Sequence, residues 1–360
     1  MHTRPTTTRL GRSAGGHRLR TLVTGAALAA LALTGCSAGT TPEPGASAGS
    51  GEGFPKVIEH ALGEVKIPEK PERIVTIGTM TQDIVAGLGV VPVGVNESWG
   101  AAKDGYLPWF RDRVEDLGGE LPELIAYDNA GILDFEQILG LDADLILAPH
   151  SGITEVDYQR LAEIAPTLAY EEKPWSSGTW QHLTERIGEV IGEPEAATEA
   201  IERTETLFAE QAEAHPEFAD TTFAYGLTLF DGASEVGLYV DGEPRVGFIT
   251  ELGLTSTPSM PKIVGSVEGD NWYGSASLEE LDTIEADVFL AWAETPEEIE
   301  YTVSHPTFSR WAPIAAGRYL FLDNPTMAMA TNSPTILSVP WALPEFVPML
   351  ADAVAGKGGK

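Results

Sequence analysis

Cysteine is almost absent from this 360-residue sequence, and the single one, Cys36, leaves no possibility of a disulfide within the chain. The apolar run at residues 22–33 is well short of the roughly 20 residues that an α-helix needs to cross a bilayer. We therefore do not expect this run to persist as a transmembrane helix.

Positive charge is also scarce. The chain has 22 Lys and Arg against 54 Asp and Glu, a net charge of −32, and five of the arginines precede residue 36. A surface this acidic repels phosphates, and no basic patch with interleaved aromatic residues is present. Nucleic-acid binding is therefore excluded, whereas a hydrophobic share of 43% indicates a normally packed core.

The common sequence motifs of catalysis are missing after residue 53. Gly-x-Ser-x-Gly occurs only at residues 11–15, 35–39 and 45–49, within the predicted signal peptide and tether, so none of the three forms a nucleophile elbow between a strand and a helix. There is no Walker loop and no His-Glu-x-x-His, and the glycines at 87/89 and 118/119 do not form a dinucleotide fingerprint. We predict that the protein is not an enzyme and has no cofactor. A secreted α/β enzyme is kept as a remote alternative.

The N-terminus is typical of a secretory signal. Residues 1–35 combine five arginines, no acidic residue and the apolar run, which predicts a signal peptide. Leu33-Thr34-Gly35-Cys36 resembles the bacterial lipobox, in which the cysteine is acylated and the chain is cut just before it. The resemblance implies a lipid anchor on Cys36 at the outer face of the cytoplasmic membrane; the alternative is an ordinary signal peptide with a chance cysteine. Residues 36–53, rich in small and polar residues, are predicted to be a flexible tether.

Two stretches of the chain are similar to each other. Residues 135–148 (FEQILGLDADLILA) and 278–291 (LEELDTIEADVFLA) are identical at five of fourteen positions, and each predicts an amphipathic helix, an Asp at a tight turn and a buried strand. AGLGV at 86–90 and TELGL at 250–254 each predict a helix that ends at Gly before a strand. The order within each half indicates two similar lobes.

Strands alternate with helices, which is typical of parallel or mixed sheets covered on both faces. The predicted strands are 74–77, 92–95, 145–148, 167–170, 222–230, 236–240, 288–292 and 319–322. Residues 193–215 predict one long helix that connects the lobes and ends before Pro216, although a packing helix within one lobe would fit too. The predicted domains are an N-terminal lobe at 54–180, a lobe end with the connecting helix at 181–219, and a C-terminal lobe at 220–357.

Several segments resemble the ferric-siderophore-binding lipoproteins of ABC importers. They are VKIPEKPERIV at 65–75, LGVVPVGV at 88–95, DLILA at 144–148, YQRLAEIAP at 158–166 and IGEVIG at 187–192. The resemblance covers roughly residues 55–350 and implies two Rossmann-like α/β lobes joined by one long helix, with a ferric siderophore in the cleft between them. It also implies delivery to an ABC permease dimer with its ATPase. We expect the binding protein itself to be a monomer.

Ligands of open α/β sheets bind beyond the carboxyl ends of the strands, so residues after the predicted strands and in neighbouring loops are candidate contacts. The predicted ligand-binding residues are Trp99, His150, Trp175, Arg245, Trp272, Tyr273, Trp292 and Met327. Aromatic walls suit a large, partly apolar chelate. Arg245 lies where related binders often place a basic residue, and its guanidinium could pair with a siderophore oxygen.

The same architecture could serve other ligands. A zinc or manganese ion would need several converging His or carboxylate ligands, but the five histidines after the tether are scattered. Haem or cobalamin stays open, with His150 or Tyr273 available as an axial ligand of haem. Hydroxamate complexes, neutral or cationic, suit this arginine-poor chain better than anionic catecholates, so we favour a hydroxamate or mixed siderophore.

The resemblance further implies one surface glutamate on each lobe that pairs with arginines of the permease. By position these are Glu155, shortly after DLILA, and Glu243, before the helix that ends in Glu-Leu-Gly. The siderophore would hold the iron, so no protein residue is predicted to bind the metal directly.

Overall fold

The computed structural model describes residues 53–126, 132–175, 178–269 and 271–358. The predictions for the signal peptide, for Cys36 and for most of the tether concern residues outside these ranges. The described part begins with an antiparallel hairpin of β1 (Lys56–His60) and β2 (Gly63–Ile67), and two larger sheets follow. None of the helices in these ranges has the length and apolar composition needed to cross a membrane.

The first large sheet is parallel throughout. Its strands are β3 (Ile74–Thr76), β4 (Gly94–Asn96), β5 (Glu123–Ile125), β6 (Leu145–Leu147) and β7 (Thr167–Leu168), in the spatial order β5-β4-β3-β6-β7. Its helices are α1 (Thr81–Gly87), α2 (Pro108–Asp116), α3 (Phe135–Gly140), α4 (Glu155–Ile164) and α5 (Trp180–Ile191). The central strands β3, β4 and β6 are buried along their whole length, as strands covered on both faces must be.

A single long helix, α6 (Pro194–Ala214), leads from the first sheet to the second. Pro194 occupies its first turn, where a missing N–H costs nothing, and Pro216 begins the 3₁₀ turn that follows. One face of the helix is buried, and its members recur at helical spacing: Ala197, Ala200, Ile201, Thr204 and Phe208. The predicted helix at 193–215 is confirmed to within one residue at each end.

The second large sheet is mixed. Its strands are β8 (Thr222–Gly226), β9 (Glu235–Tyr239), β10 (Thr255–Ser256), β11 (Tyr273–Ser277), β12 (Val288–Trp292) and β13 (Tyr319–Leu322). The order is β11-β9-β8-β12-β13 with β10 beside β8; β9 runs antiparallel to β8 and β11, and the other pairs are parallel. Its helices are α7 (Pro244–Glu251), α8 (Met260–Val264), α9 (Pro296–Ser304), α10 (Ala312–Ala315), α11 (Pro325–Asn332) and α12 (Ser338–Val354). Two α/β lobes joined by one long helix are thus confirmed.

Several local predictions need correction. The strand expected over 92–95 begins at Gly94, and the strand expected over 167–170 ends at Leu168. The strand expected over 222–230 ends at Gly226. The Leu227 N–H still donates to the Gly237 carbonyl of β9 at 2.9 Å, but the Leu229 N–H donates to the Thr302 hydroxyl at 2.9 Å. The helix expected at the start of the second duplicated segment is a 3₁₀ helix, Leu278–Thr283, whereas its counterpart α3 is an α-helix.

The duplicated Asp has the same structural role in both lobes. The carboxylate of Asp144, just before β6, accepts the backbone N–H of Arg73 at 3.0 Å, and the carboxylate of Asp287, just before β12, accepts the N–H of Thr222 at 2.9 Å. In each lobe the Asp N–H also donates back to the carbonyl of the same residue, at 2.9 Å. Each Asp therefore fixes the register of its strand against the strand beside it, β3 or β8, which explains why the two segments share this residue.

The two lobes share one apolar core. A continuous cluster of buried side chains includes residues of both sheets, of α6 and of the C-terminal helix α12. Within it, the ring of Phe248 on α7 lies 5.3 Å from that of Phe208 on α6 and 5.2 Å from that of Phe346 on α12. The cleft between the lobes is therefore bounded by a packed, common base.

A buried carboxyl group joins the lobes at this base. Asp83 on α1 is 2% exposed, and one of its oxygens accepts from Trp109 Nε1 at 2.6 Å and from the Thr335 hydroxyl at 3.1 Å. Thr335 lies between α11 and α12, while the Trp109 ring packs on Trp341 of α12 at 5.0 Å. Burial raises the pKa of Asp83 to about 7, although the two hydrogen bonds oppose this shift.

The raised pKa predicts a pH-dependent stability. Between pH 4 and 7 the folded protein binds more protons at Asp83 than the unfolded chain does, so the free energy of unfolding should fall as the pH rises through this window. Asp83→Asn removes this dependence, which linkage limits to about 4 kcal/mol. In urea unfolding at pH 4.5, 6 and 8, the free energy of unfolding of the variant should increase relative to that of the wild type as the pH rises. The exposed Asp112→Asn should show no such trend; equal trends for both variants would contradict the assignment.

Candidate functional site

A cavity of about 590 Å³ lies between the two lobes, where the strands of the first sheet end. Thr79 follows β3, His150 follows β6, and Trp175 comes after β7. From the second lobe, Tyr239 ends β9 and Tyr273 begins the antiparallel β11, so both reach the same edge of that sheet. Asn332 and Ser333, at the end of α11, complete the lining.

The first-lobe wall is held by close backbone packing. Gly78 has φ +98°, and a Cβ there would lie 2.1 Å from the His150 carbonyl oxygen, so only glycine fits. The same carbonyl accepts the N–H of Thr79 at 3.2 Å. The backbone N–H of Trp175 donates to the Ser151 carbonyl at 3.0 Å, and the Trp175 indole lies edge-on to the His150 ring at 5.7 Å. Trp175 keeps 38% of its surface exposed in this position, so it can contact a ligand.

His150 is buried and uncharged at neutral pH. Burial lowers its pKa to about 4, and the positive charge of Arg245 across the cavity contributes to the shift. The imidazole is therefore a neutral polar group in the cavity wall.

The second-lobe wall contains a buried ion pair. Glu243 caps α7, since its carboxylate accepts the backbone N–H of Arg245 at 2.9 Å, and it also accepts the Arg245 Nε–H at 2.8 Å. The guanidinium of Arg245 lies 4.1 Å above the Tyr239 ring. Glu243 is only 5% exposed. The expectation of a surface glutamate at this position is therefore wrong, because the side chain turns back to cap its own helix.

A contact between the lobes forms part of the cavity lining. The Lys173 ammonium of the first lobe lies 4.2 Å above the Trp272 ring of the second. Trp272 is fixed to the end of β9, because its carbonyl accepts the N–H of Val240 at 3.2 Å. Next to it, the Tyr273 ring stands edge-on to Tyr239 at 6.2 Å.

The structure brings together five of the eight predicted ligand residues. The residues that line the cavity are His150, Trp175, Arg245, Trp272 and Tyr273. Trp99 and Trp292 instead pack edge-to-face on each other at 5.1 Å and are not part of its lining. Met327 is 1% exposed within α11, where it belongs to the apolar core.

Other lining residues escaped the sequence reasoning. Glu243 was assigned to a different role, and Lys173, Asn271, Asn332 and Ser333 gave no signal because none of them directly follows a predicted strand. Thr79 and Tyr239 stand at the ends of predicted strands, as expected of cleft residues, but were not among the eight predicted ligand-binding residues.

Glu155 lies outside the cavity as the exposed first residue of α4. Thr154 and Asp157 form a capping box around this helix start, which fixes the direction of the first turn. The expectation of a surface position is therefore met for Glu155 but not for Glu243.

Sequence comparison relates the chain to known binding proteins. A family model described as periplasmic binding protein matches residues 74–326. The chain is 22% identical over 304 residues to the Fe(3+)-citrate-binding protein YfmC of Bacillus subtilis, and the alignment covers 83% of this chain and 87% of that protein.

Structural comparison agrees. PiaA of Streptococcus pneumoniae, solved in complex with ferrichrome, shares 29% identity with a TM-score of 0.75 over 83% of this chain and 99% of the other. A periplasmic solute binding protein of Mycobacterium smegmatis shares 26% identity with a TM-score of 0.67 over 83% of this chain and 98% of the other. Since the family match runs from the first strand of one lobe to the helix after the last strand of the other, this chain belongs to the periplasmic binding protein family.

Proposed function

We propose that this chain is the substrate-binding lipoprotein of an ABC importer and that its cleft binds a ferric siderophore. The observation that carries the proposal is the cavity of about 590 Å³ between the lobes, walled by Trp175, Trp272, Tyr239 and Tyr273. Aromatic walls with a few polar groups suit a bulky chelate whose iron is already coordinated. The ferrichrome complex of PiaA and the Fe(3+)-citrate-binding relative support iron chelates as the ligand class.

Within this class we favour a hydroxamate or mixed siderophore. Three charged side chains of the described residues line the cavity, namely Lys173, Glu243 and Arg245, and two of them form an ion pair with each other. His150 adds no charge at neutral pH. A tricatecholate complex, which is strongly anionic, would find little positive charge to compensate it.

A bare metal ion is less well supported. Among the residues that the structure describes, no group of three or more His, Cys, Asp or Glu side chains could hold a metal ion. Haem and cobalamin remain alternatives that a binding assay distinguishes directly, since His150 and Tyr273 both line the cavity.

Tryptophan-fluorescence titration of residues 37–360 tests the ligand class. Ferric siderophores should quench the emission, whereas free Zn²⁺, free Mn²⁺, haem and cobalamin should not. Trp175→Ala should weaken siderophore binding at least tenfold, because it removes an aromatic wall of the cavity. Phe230→Ala, which removes a 74% exposed aromatic residue outside the cavity lining, serves as the control. Tight Zn²⁺ or Mn²⁺ binding without any siderophore response would refute the proposal.

The lipid anchor on Cys36 is the second part of the proposal, and it rests on the sequence alone. Cys36→Ala should release the protein from membranes and leave ligand affinity unchanged, because Cys36 precedes the two lobes by a predicted tether. Membrane fractionation followed by ligand titration measures both effects. A variant that still sediments with membranes after a salt wash would disprove the anchor.

Docking to a permease dimer is the third part. A twofold permease needs one contact on each lobe. Glu155 follows the N-cap Thr154 of α4, the helix after β6, and α9 occupies the same place after the duplicated strand β12. Thr295 caps α9, and Glu297 in its first turn is exposed. We therefore propose Glu155 and Glu297 as the docking pair and no longer assign this role to Glu243.

Reversing both charges tests the docking pair. Glu155→Arg combined with Glu297→Arg should abolish uptake of the iron siderophore by cells while binding in solution stays normal, because such pairs orient the encounter with the permease. Glu163→Arg, an exposed acid farther along α4, should leave uptake intact. Undiminished uptake by the double variant at equal protein level would remove both residues from the docking surface.

A further inference from the structure

Glu243 is a buried carboxylate in the wall of the cavity. Its side chain is 6% exposed and that of its partner Arg245 is 19% exposed, so the pair is largely removed from water. Burial raises the pKa of Glu243, and the charge and N–H groups of Arg245 oppose that shift. With a guanidinium nitrogen at 2.8 Å and a backbone N–H at 2.9 Å, the carboxylate form is stabilised where it stands.

Glu243 accepts a hydrogen bond from only one of the three guanidinium nitrogens of Arg245. Its Nε–H donates to Glu243, and its two terminal nitrogens have no hydrogen-bond partner among the described residues. Arg245 lines the cavity and is held above Tyr239. The terminal nitrogens are therefore available to oxygen atoms of a ligand, while the adjacent carboxylate remains within the same wall.

The net charge that a ligand meets depends on this carboxylate. The negative charge of Glu243 offsets the positive charge of Arg245, and His150 is neutral, so the pair adds no net charge to the cavity wall. Because the site is partly enclosed, a single charge there acts on the ligand with little screening by water. A chelate with several negative charges would meet both the attraction of Arg245 and the repulsion of Glu243.

We propose that Glu243 determines specificity: by neutralising Arg245 it makes the cleft selective for ferric chelates of low net charge and selective against polyanionic ones. The inference rests on the proposed function and deepens it, because it assigns the discrimination between ligand classes to one residue. The two relatives, one solved with ferrichrome and one named for Fe(3+)-citrate, are associated with iron chelates of different charge, so charge is a property that this fold has to distinguish.

The wild-type protein provides the first test. Ferrichrome and ferrichrome A share a ferric trihydroxamate centre, but the second carries three additional carboxylates. Fluorescence titration of residues 37–360 should show at least tenfold tighter binding of ferrichrome. Equal affinities, or a preference for ferrichrome A, would overturn the inference. If neither these nor any other ferric siderophore binds, the proposed function itself fails.

Variants of Glu243 provide the second test. Glu243→Gln keeps an acceptor oxygen for the helix cap but removes the charge, so the ratio of the two affinities should shift about tenfold toward ferrichrome A, and the shift should shrink in high salt. Glu243→Asp keeps both charge and cap and should retain the wild-type ratio. Glu279→Gln, which removes an exposed acid outside the cavity lining, controls for the global charge. An equal loss of affinity for both ligands in Glu243→Gln would reduce Glu243 to a structural cap and refute the inference.

Discussion

Parallel strands impose the constraint on which the binding site depends. A crossover connection returns the chain to the same end of the sheet each time, so the carboxyl ends of neighbouring strands meet at one edge. In the first lobe this edge collects Thr79, His150 and Trp175 after β3, β6 and β7. The second lobe reaches the same result with a mixed sheet, because antiparallel β9 and β11 place Tyr239 and Tyr273 side by side. The cleft is where the two edges face each other.

The common base keeps these edges at a fixed separation. The continuous apolar cluster contains residues of both sheets, and Trp109 of α2 packs on Trp341 of α12 within it, so the lobes cannot separate without exposing apolar surface. At the same base, the hydrogen bond between Asp83 and Thr335 joins α1 to the segment before α12. The pKa of Asp83 is raised because its carboxyl group is buried. The contact of Lys173 with Trp272 adds a link at the cavity itself.

The acidity of the surface and the charge of the cleft are separate properties. The chain carries a net charge of −32, yet the Arg245–Glu243 pair in the cavity wall has no net charge. The difference arises because water stabilises the charge of an exposed carboxylate, whereas a buried carboxylate has to be stabilised by a positively charged or hydrogen-bonding partner. Glu243 has that partner in Arg245, two residues later, at the first turn of α7. A single helix start thus fixes the position of the arginine, its counter-charge and the electrostatic character of the wall.

Periodicity and turn residues determined the fold class. Three features could be read from residues close together in the sequence. They are the alternation of strands and helices, the long helix before Pro216, and the duplicated Asp144 and Asp287. Position after a strand likewise placed His150 near the cleft, and position in the neighbouring loops placed Trp175 and Trp272 there. Tertiary structure alone decided which of the predicted residues line the cavity: Trp99 and Trp292 pack on each other, and Met327 lies in the core. It also decided that Glu243 turns inward. Such outcomes depend on contacts between segments distant in the chain and on the direction of a side chain at a helix cap, and a one-dimensional pattern contains neither.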